Sequence, residues 1–155
     1  MLKLGQNLIV ALLLLLLVSK PTMALDDKDY NNNLQIINGT NQKIITTFKV
    51  RIAKNNSDQE KGLMFVKSLP ESFGLLFDFP KEKIVNMWMK NTLISLDIIF
   101  IDKNDRVVQI FNSAPLLSQE IISSMLPAKK VLEINAGLAK KFDIKIGDKI
   151  KLVTS

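Results

Sequence analysis

The chain has 155 residues, with 21 Lys or Arg against 15 Asp or Glu and a formal net charge of +6, which leaves room for one domain. It contains neither Cys nor His. This composition excludes disulfides, zinc and blue-copper sites, Cys nucleophiles and Ser-His-Asp triads. Any chemistry must therefore come from carboxylates, Lys, Ser, Thr, Tyr30 or a metal bound through oxygen.

The amino terminus has the pattern of a secretory signal. A basic start at Lys3 is followed by an apolar run over residues 8–18 and by small residues at Thr22 and Ala24. These two occupy the −3 and −1 positions of a cleavage after Ala24, so residues 1–24 are predicted to be a signal peptide. The alternative is an uncleaved membrane anchor, but the apolar run is shorter than the roughly 20 residues that a bilayer core requires. We expect export to the periplasm or the extracellular space.

Cleavage would remove Lys3 and Lys20 and no acid, which leaves 19 basic and 15 acidic residues. The positive charges are scattered, and no basic stripe interleaved with aromatic residues is present. Nucleic acid is therefore not an expected partner. The mild positive charge is typical of an ordinary solvated surface, and the residues indicate no cofactor.

Residues 25–43 are rich in Asn and Asp and are predicted to be a flexible polar lead to a single β-rich domain over residues 44–155. Polarity alternates over Ile45–Ala53, which is typical of a half-buried strand. Ser57 and Glu60 then form a capping-box pattern, which predicts a short helix through residues 63–64.

Six more strands follow in the prediction. They are Gly74–Phe79 (stopped by Pro80), Ile84–Lys90, Ile94–Asp102, Arg106–Phe111, Val131–Ile134 and Lys149–Val153. The polar triplet at residues 103–105 predicts a hairpin, residues 114–124 predict a loop with a helical turn, and Asn135 is expected to cap a helix over residues 136–142. Seven short strands and two small helices predict a mainly β fold, a small β-sandwich or partly closed barrel.

The densest cluster of unusual residues lies between the third and fourth predicted strands. It holds the one Trp of the chain, Trp88, and an acid, Asp97, inside an otherwise apolar strand. A buried carboxylate needs a partner, so Asp97 either bonds backbone amides or Lys90 to fix the strand, or belongs to a ligand-binding depression. In the second interpretation the lining residues are Trp88, Lys90, Asn91, Thr92 and Asp97.

Two further functions stay open at this stage. One is a hydrolase that acts on envelope glycans or polymers through Asp97 and a second carboxylate, such as Glu60, Glu133 or Asp148. Glu133 alternates with Leu132 and Ile134, as an outward-facing strand residue does. The other is a metal binder with oxygen ligands.

Six blocks of the sequence resemble domain-of-unknown-function family 192, whose members are bacterial and archaeal. The blocks are Glu60-Lys61-Gly62-Leu63-Met64, Gly74-Leu75-Leu76-Phe77, Trp88-Met89-Lys90-Asn91-Thr92, Leu96-Asp97-Ile98-Ile99-Phe100-Ile101-Asp102, Leu132-Glu133-Ile134 and Gly147-Asp148. They occur in the family's order over residues 48–153. The resemblance implies a signal peptide and a compact, mainly β domain, and it implies no activity. Val66, Met87 and Ser95 depart from the family's usual Arg, aromatic and Pro.

The sequence thus favours a non-catalytic, exported domain that binds a small ligand or another component of the cell envelope. Its ligand is expected to lie over residues 88–97, with Trp88 stacking on an apolar or sugar face and Asp97 accepting hydrogen bonds.

Overall fold

The structure, a computed structural model, describes residues 27–153, so the predicted signal peptide lies outside the described residues. After a 3-10 turn at Asp27–Asp29 come nine strands and two short helices. The strands are β1 (Asn32–Ile37), β2 (Ile44–Ala53), β3 (Phe73–Lys83), β4 (Asn86–Met87), β5 (Leu96–Ile101), β6 (Val107–Ala114), β7 (Ile122–Ser123), β8 (Ala128–Asn135) and β9 (Lys149–Val153). The helices are α1 (Asn56–Lys61) and α2 (Leu138–Lys141).

Seven strands form one curled sheet in the order β6-β5-β8-β3-β2-β1-β9, while β4 and β7 pair separately. Neighbouring strands are antiparallel except β2 and β3, which are parallel. At one end the two edges of the sheet meet, because the Val107 amide donates to the Asp148 carbonyl and the Gly147 amide donates to the Val107 carbonyl, both at 2.8 Å. The predicted mainly β fold with two short helices is confirmed, in the form of a partly closed barrel.

Both faces of the central strands are covered, so the domain has two apolar cores. Inside the curl, Phe48, Ile99 and Leu132 pack with α2. On the outer face, residues such as Leu75 and Phe100 pack beneath the segment that follows α1 and the segment around β4. All six residues of β5 are buried for this reason, which explains why its residues other than Asp97 are all apolar rather than alternating with polar ones.

The predicted lead over residues 25–43 is wrong in part, because it contains β1. Leu34 and Ile36 are fully buried inside the curl, and β1 pairs with β2 on one side and with β9 on the other. The surrounding Asn residues conceal the strand in the sequence. Two buried aliphatic side chains are enough to hold β1 in the sheet, because ladder hydrogen bonds satisfy its backbone on both sides.

The first helix and the strand that follows also differ from the prediction. The N-cap of α1 is Asn55, whose Oδ1 accepts from the Asp58 amide at 2.9 Å, rather than Ser57. The helix ends at Gly62, whose φ of +48° favours glycine, so it stops before the predicted end. Strand β3 continues past Pro80, because the β3–β8 pairing is irregular between Asp78 and Lys83 and no ladder donor is required at the proline.

Of the later elements, the hairpin β5–β6 and the last strand, β9, are confirmed. The predicted strand over residues 84–90 is mostly irregular, with only β4 paired, although its residues alternate between exposed and buried as in a strand. Residues 114–124 hold the strand β7. Asn135 ends β8 and donates to the Leu69 carbonyl at 2.7 Å, so it does not cap α2, whose N-cap is Gly137.

Candidate functional site

Asp97 lies on β5 and faces the inside of the curl, fully buried. Its Oδ1 accepts from the Ser113 amide and its Oδ2 from the Ala139 amide, each at 2.9 Å. Ser113 has a φ of +53° at an irregularity of the β5–β6 pairing, and Ala139 is in the first turn of α2. The carboxylate therefore fixes a bulge and a helix in place. This matches the structural interpretation, with backbone amides rather than Lys90 as partners.

The other four predicted site residues lie together in the segment that follows β4, away from Asp97. Trp88 is 41% exposed, and the Lys90 ammonium is 5.1 Å from the centroid of its ring. Asn91 has a φ of +57° in the turn, and its carbonyl accepts from the Phe65 amide at 2.9 Å. Thr92 is buried. The hydrogen bond between Phe65 and Asn91 holds this segment against the chain that follows α1.

A groove of about 360 Å³ lies between α1 and this segment. Its lining residues are Ser57, Glu60, Lys61, Met64, Trp88, Lys90 and Asn91. The groove therefore combines three predicted site residues with four from α1 and its C-terminal extension. The sequence signal for this second wall was the block Glu60-Lys61-Gly62-Leu63-Met64, whose resemblance to the family was noted without a site being assigned to it.

Glu133 is buried below this groove, whereas the sequence named it only as a candidate second carboxylate for a hydrolase and assigned it to no binding site. It faces outward, as its alternation with Leu132 and Ile134 predicts, but the outer face of β8 is covered and Glu133 is only 4% exposed. It lies opposite Leu75 of β3 and Ile98 of β5, both in the outer core. Burial raises the pKa of the Glu133 carboxyl to about 8, and the positive charge of Arg51 opposes this rise only in part. At pH 7 the carboxyl is therefore predominantly uncharged.

A cavity of about 20 Å³, room for about one water molecule, lies beside Glu133. Thr92, Phe77 and Met87 also line it. Four residues line both this cavity and the outer groove: Glu60, Lys61, Met64 and Trp88. The cavity and the groove are thus neighbouring parts of one depression.

Arg51 connects this region to the chain before β1. Its Nη2 donates to the Gly62 carbonyl at 2.8 Å, which ties β2 to the end of α1. The Tyr30 ring packs on Phe73 at 4.8 Å between centroids. Burial raises the pKa of the Tyr30 hydroxyl, and the nearby Arg51 guanidinium lowers it. The guanidinium therefore adds positive charge near the Tyr30 hydroxyl and the Glu133 carboxyl.

The hydrolase alternative depends on Asp97, which has no exposed surface and whose two oxygens are both engaged by amides. Asp148 is held in the same way, by the amides of Gly39 and Lys145.

Within residues 27–153 no group of three or more acidic side chains is close enough to hold a metal ion. In the same range no helix has the length and hydrophobicity needed to cross a bilayer.

Comparison with known proteins gives one family and several relatives. The model of domain-of-unknown-function family 192, described as "Uncharacterized ACR", matches residues 36–152. The UPF0127 protein PH1112 of Pyrococcus horikoshii is 33% identical over 108 residues, which are 68% of this chain and 89% of that protein.

Two crystal structures are similar to this fold. One, described as a candidate transcription regulator from Sinorhizobium meliloti, has a TM-score of 0.75 at 33% identity and covers 80% of this chain and 95% of its own. The other, a protein of unknown function from Novosphingobium aromaticivorans, has a TM-score of 0.72 at 34% identity. This match covers 77% of the present chain and 83% of the Novosphingobium protein. The range matched by the family model includes Glu133 and the whole lining of the groove.

Proposed function

The chain belongs to domain-of-unknown-function family 192, and we propose that it is a non-catalytic binding domain whose ligand occupies the groove between α1 and Trp88. The observation that carries this proposal is the position of Trp88. A large aromatic ring that is 41% exposed forms one wall of a depression lined by charged and amide side chains. Such a combination of an apolar platform and a few polar groups is typical of small-ligand sites.

The rim of the groove supplies polar groups of both signs. Glu60, Lys61 and Lys90 are exposed and line it, together with the amide of Asn91. Lys90 already lies over the ring of Trp88, and this contact limits the motion of both side chains. A ligand that stacks on the free part of the ring can therefore also form hydrogen bonds to the rim without reorganising it.

Export to the cell envelope is part of the same proposal and depends on the secretory pattern of residues 1–24. In that setting the ligand is an envelope component, either a small molecule or a polymer segment that fits a groove of about 360 Å³. Asp97 is not part of this proposal, because its contacts account for it as a structural residue.

The fluorescence of Trp88 tests the proposal directly, because the chain contains no other Trp. Soluble envelope fragments from the organism that makes the protein are titrated into it, and a saturable change in emission is expected. Retention of the same fragments on the immobilised protein gives an independent measurement. The variant Trp88→Ala should lose at least about tenfold in retention, the effect of removing one stacking platform.

Phe111→Ala is the matched control. Phe111 is an aromatic residue of β6 that is 38% exposed and does not line the groove. This variant should retain wild-type binding and leave the emission change intact. Equal retention by Trp88→Ala and Phe111→Ala, or the absence of any saturable fluorescence change, would refute a binding site at the groove.

A further inference from the structure

Three acids are buried in residues 27–153, and one of them differs from the others. Asp97 and Asp148 each accept two backbone amides. Glu133 is buried to a similar degree, and the charge of Arg51 acts on it, but no side-chain hydrogen bond within residues 27–153 joins its carboxyl to another group. The fully buried polar atom without a partner in this range is the Tyr30 hydroxyl, so the carboxyl oxygens of Glu133 are not sealed in the core and can accept a partner from the adjoining cavity.

The surroundings of Glu133 show where a partner would come from. The cavity beside the carboxyl has room for one water molecule or one polar ligand atom, and the hydroxyl-bearing Thr92 is on its wall. Met64 and Trp88 line both this cavity and the groove. Met64 is unbranched and half-buried, and its side chain can change rotamer without moving the backbone. A ligand in the groove can thus extend one polar atom toward Glu133.

The charges around this path favour a neutral, hydroxyl-rich ligand. A cationic group would meet the ammonium groups of Lys61 and Lys90 at the rim, while a multiply anionic ligand would meet Glu60. The uncharged carboxyl of Glu133 can both donate to and accept from a hydroxyl group. An exposed Trp face, a rim of mixed charge and an uncharged buried acid together match the apolar ring face and the hydroxyl groups of a sugar.

We propose that Glu133 is a ligand-recognition residue at the floor of the groove, and that it hydrogen-bonds a hydroxyl group of a saccharide whose ring lies on Trp88. This proposal rests on the proposed function and names its ligand class. The hydroxyl occupies the small cavity beside the carboxyl. Glu133 then gains a hydrogen-bond partner that the side chains within residues 27–153 do not provide.

Two variants of similar size separate recognition from packing. Glu133→Gln keeps a donor and an acceptor at the same place and should bind within about threefold of wild type. Glu133→Leu removes both and should weaken binding about tenfold or more, the effect of leaving a ligand hydroxyl unpaired in a buried site. Because Leu suits the apolar surroundings, its melting temperature should equal or exceed that of wild type. A purely structural role predicts the reverse, a lower melting temperature with unchanged binding.

The probe is an array of neutral and charged bacterial saccharides, followed by titration of the best neutral oligosaccharide with Trp88 emission as the signal. Binding of at least one neutral saccharide, lost in Glu133→Leu and kept in Glu133→Gln, is the expected result. Wild-type affinity in Glu133→Leu would overturn the role of Glu133. If no saccharide of the array binds, but Trp88→Ala still weakens the retention of envelope fragments, the ligand is not a saccharide. The groove then remains a binding site. Equal retention of envelope fragments by wild type and Trp88→Ala would overturn both proposals.

Discussion

Asp97 and Glu133 lie on the neighbouring strands β5 and β8, one residue apart in register, and they face opposite sides of the sheet. Inside the curl, Asp97 is opposite Ile134 and receives two amide hydrogen bonds from a bulge and from a helix. On the outer face, Glu133 is opposite Ile98 and receives none from the described side chains and amides, while a small cavity lies beside it. Both acids are buried in apolar strands. The difference shows that the partners of a buried acid, rather than its burial, distinguish a structural residue from a candidate binding residue.

The largest effect is expected at the structural acid. Asp97→Ala removes two charge-assisted hydrogen bonds and leaves the amides of Ser113 and Ala139 unpaired in the core, so it should lower the free energy of unfolding by about 3–5 kcal/mol. Urea denaturation followed by circular dichroism measures this change. Asp97→Asn, which keeps one acceptor, should lose less. A loss below about 1 kcal/mol in Asp97→Ala would contradict the structural role and reopen the question of its function.

The next effect is a pH dependence that arises from Glu133. Its pKa is about 8 in the folded protein against 4.5 as the ordinary value, so the folded state holds the proton more tightly than the unfolded state. The contribution of Glu133 to the free energy of unfolding is therefore greatest below about pH 4.5. It falls as the pH rises towards 8, by at most about 1.4 kcal/mol per pH unit. The pKa of about 8 already includes the opposing charge of Arg51.

Glu133→Gln should abolish that pH dependence. Relative to wild type it should be nearly neutral at pH 4 and more stable by a few kcal/mol at pH 9, as measured by urea denaturation at both pH values. Glu60→Gln, which removes an exposed negative charge at the rim of the groove, is the control for a general effect of charge. Parallel stability curves for wild type and Glu133→Gln would show that the carboxyl is solvated in solution.

The smallest effect on stability is expected at the groove itself. Trp88→Ala should lower the free energy of unfolding by less than about 1 kcal/mol, because the ring is 41% exposed and lies at the edge of the outer core. Its neighbour Met89 is fully buried, and Met89→Ala should lose about 2–5 kcal/mol. Thermal melting compares the two. Equal losses would mean that Trp88 is a packing residue and would weaken its assignment to a binding site.

Local sequence patterns determined several features by themselves. The hairpin at residues 103–105 and the strand β9 follow from β-branched runs bounded by turn residues, and short-range backbone preferences decide such elements. The sequence of residues 85–89 alternates in the same way as its burial, with Val85, Met87 and Met89 buried and Trp88 exposed. Family membership also followed from short blocks in a fixed order, and the family match confirms it.

Only the tertiary structure decided which residues of β1 and β8 are buried and which groups bind Asp97. Strand β1 exists because β2 and β9 flank it, although its composition resembles that of a polar linker. Glu133 alternates like a solvated residue but is buried, since the chain after α1 and around β4 covers that face of the sheet. Asp97 required a partner by any sequence argument, yet its donors come from residues 16 and 42 positions away. Periodicity reports which side of a strand a residue faces, whereas the segments that cover each side are fixed by long-range packing.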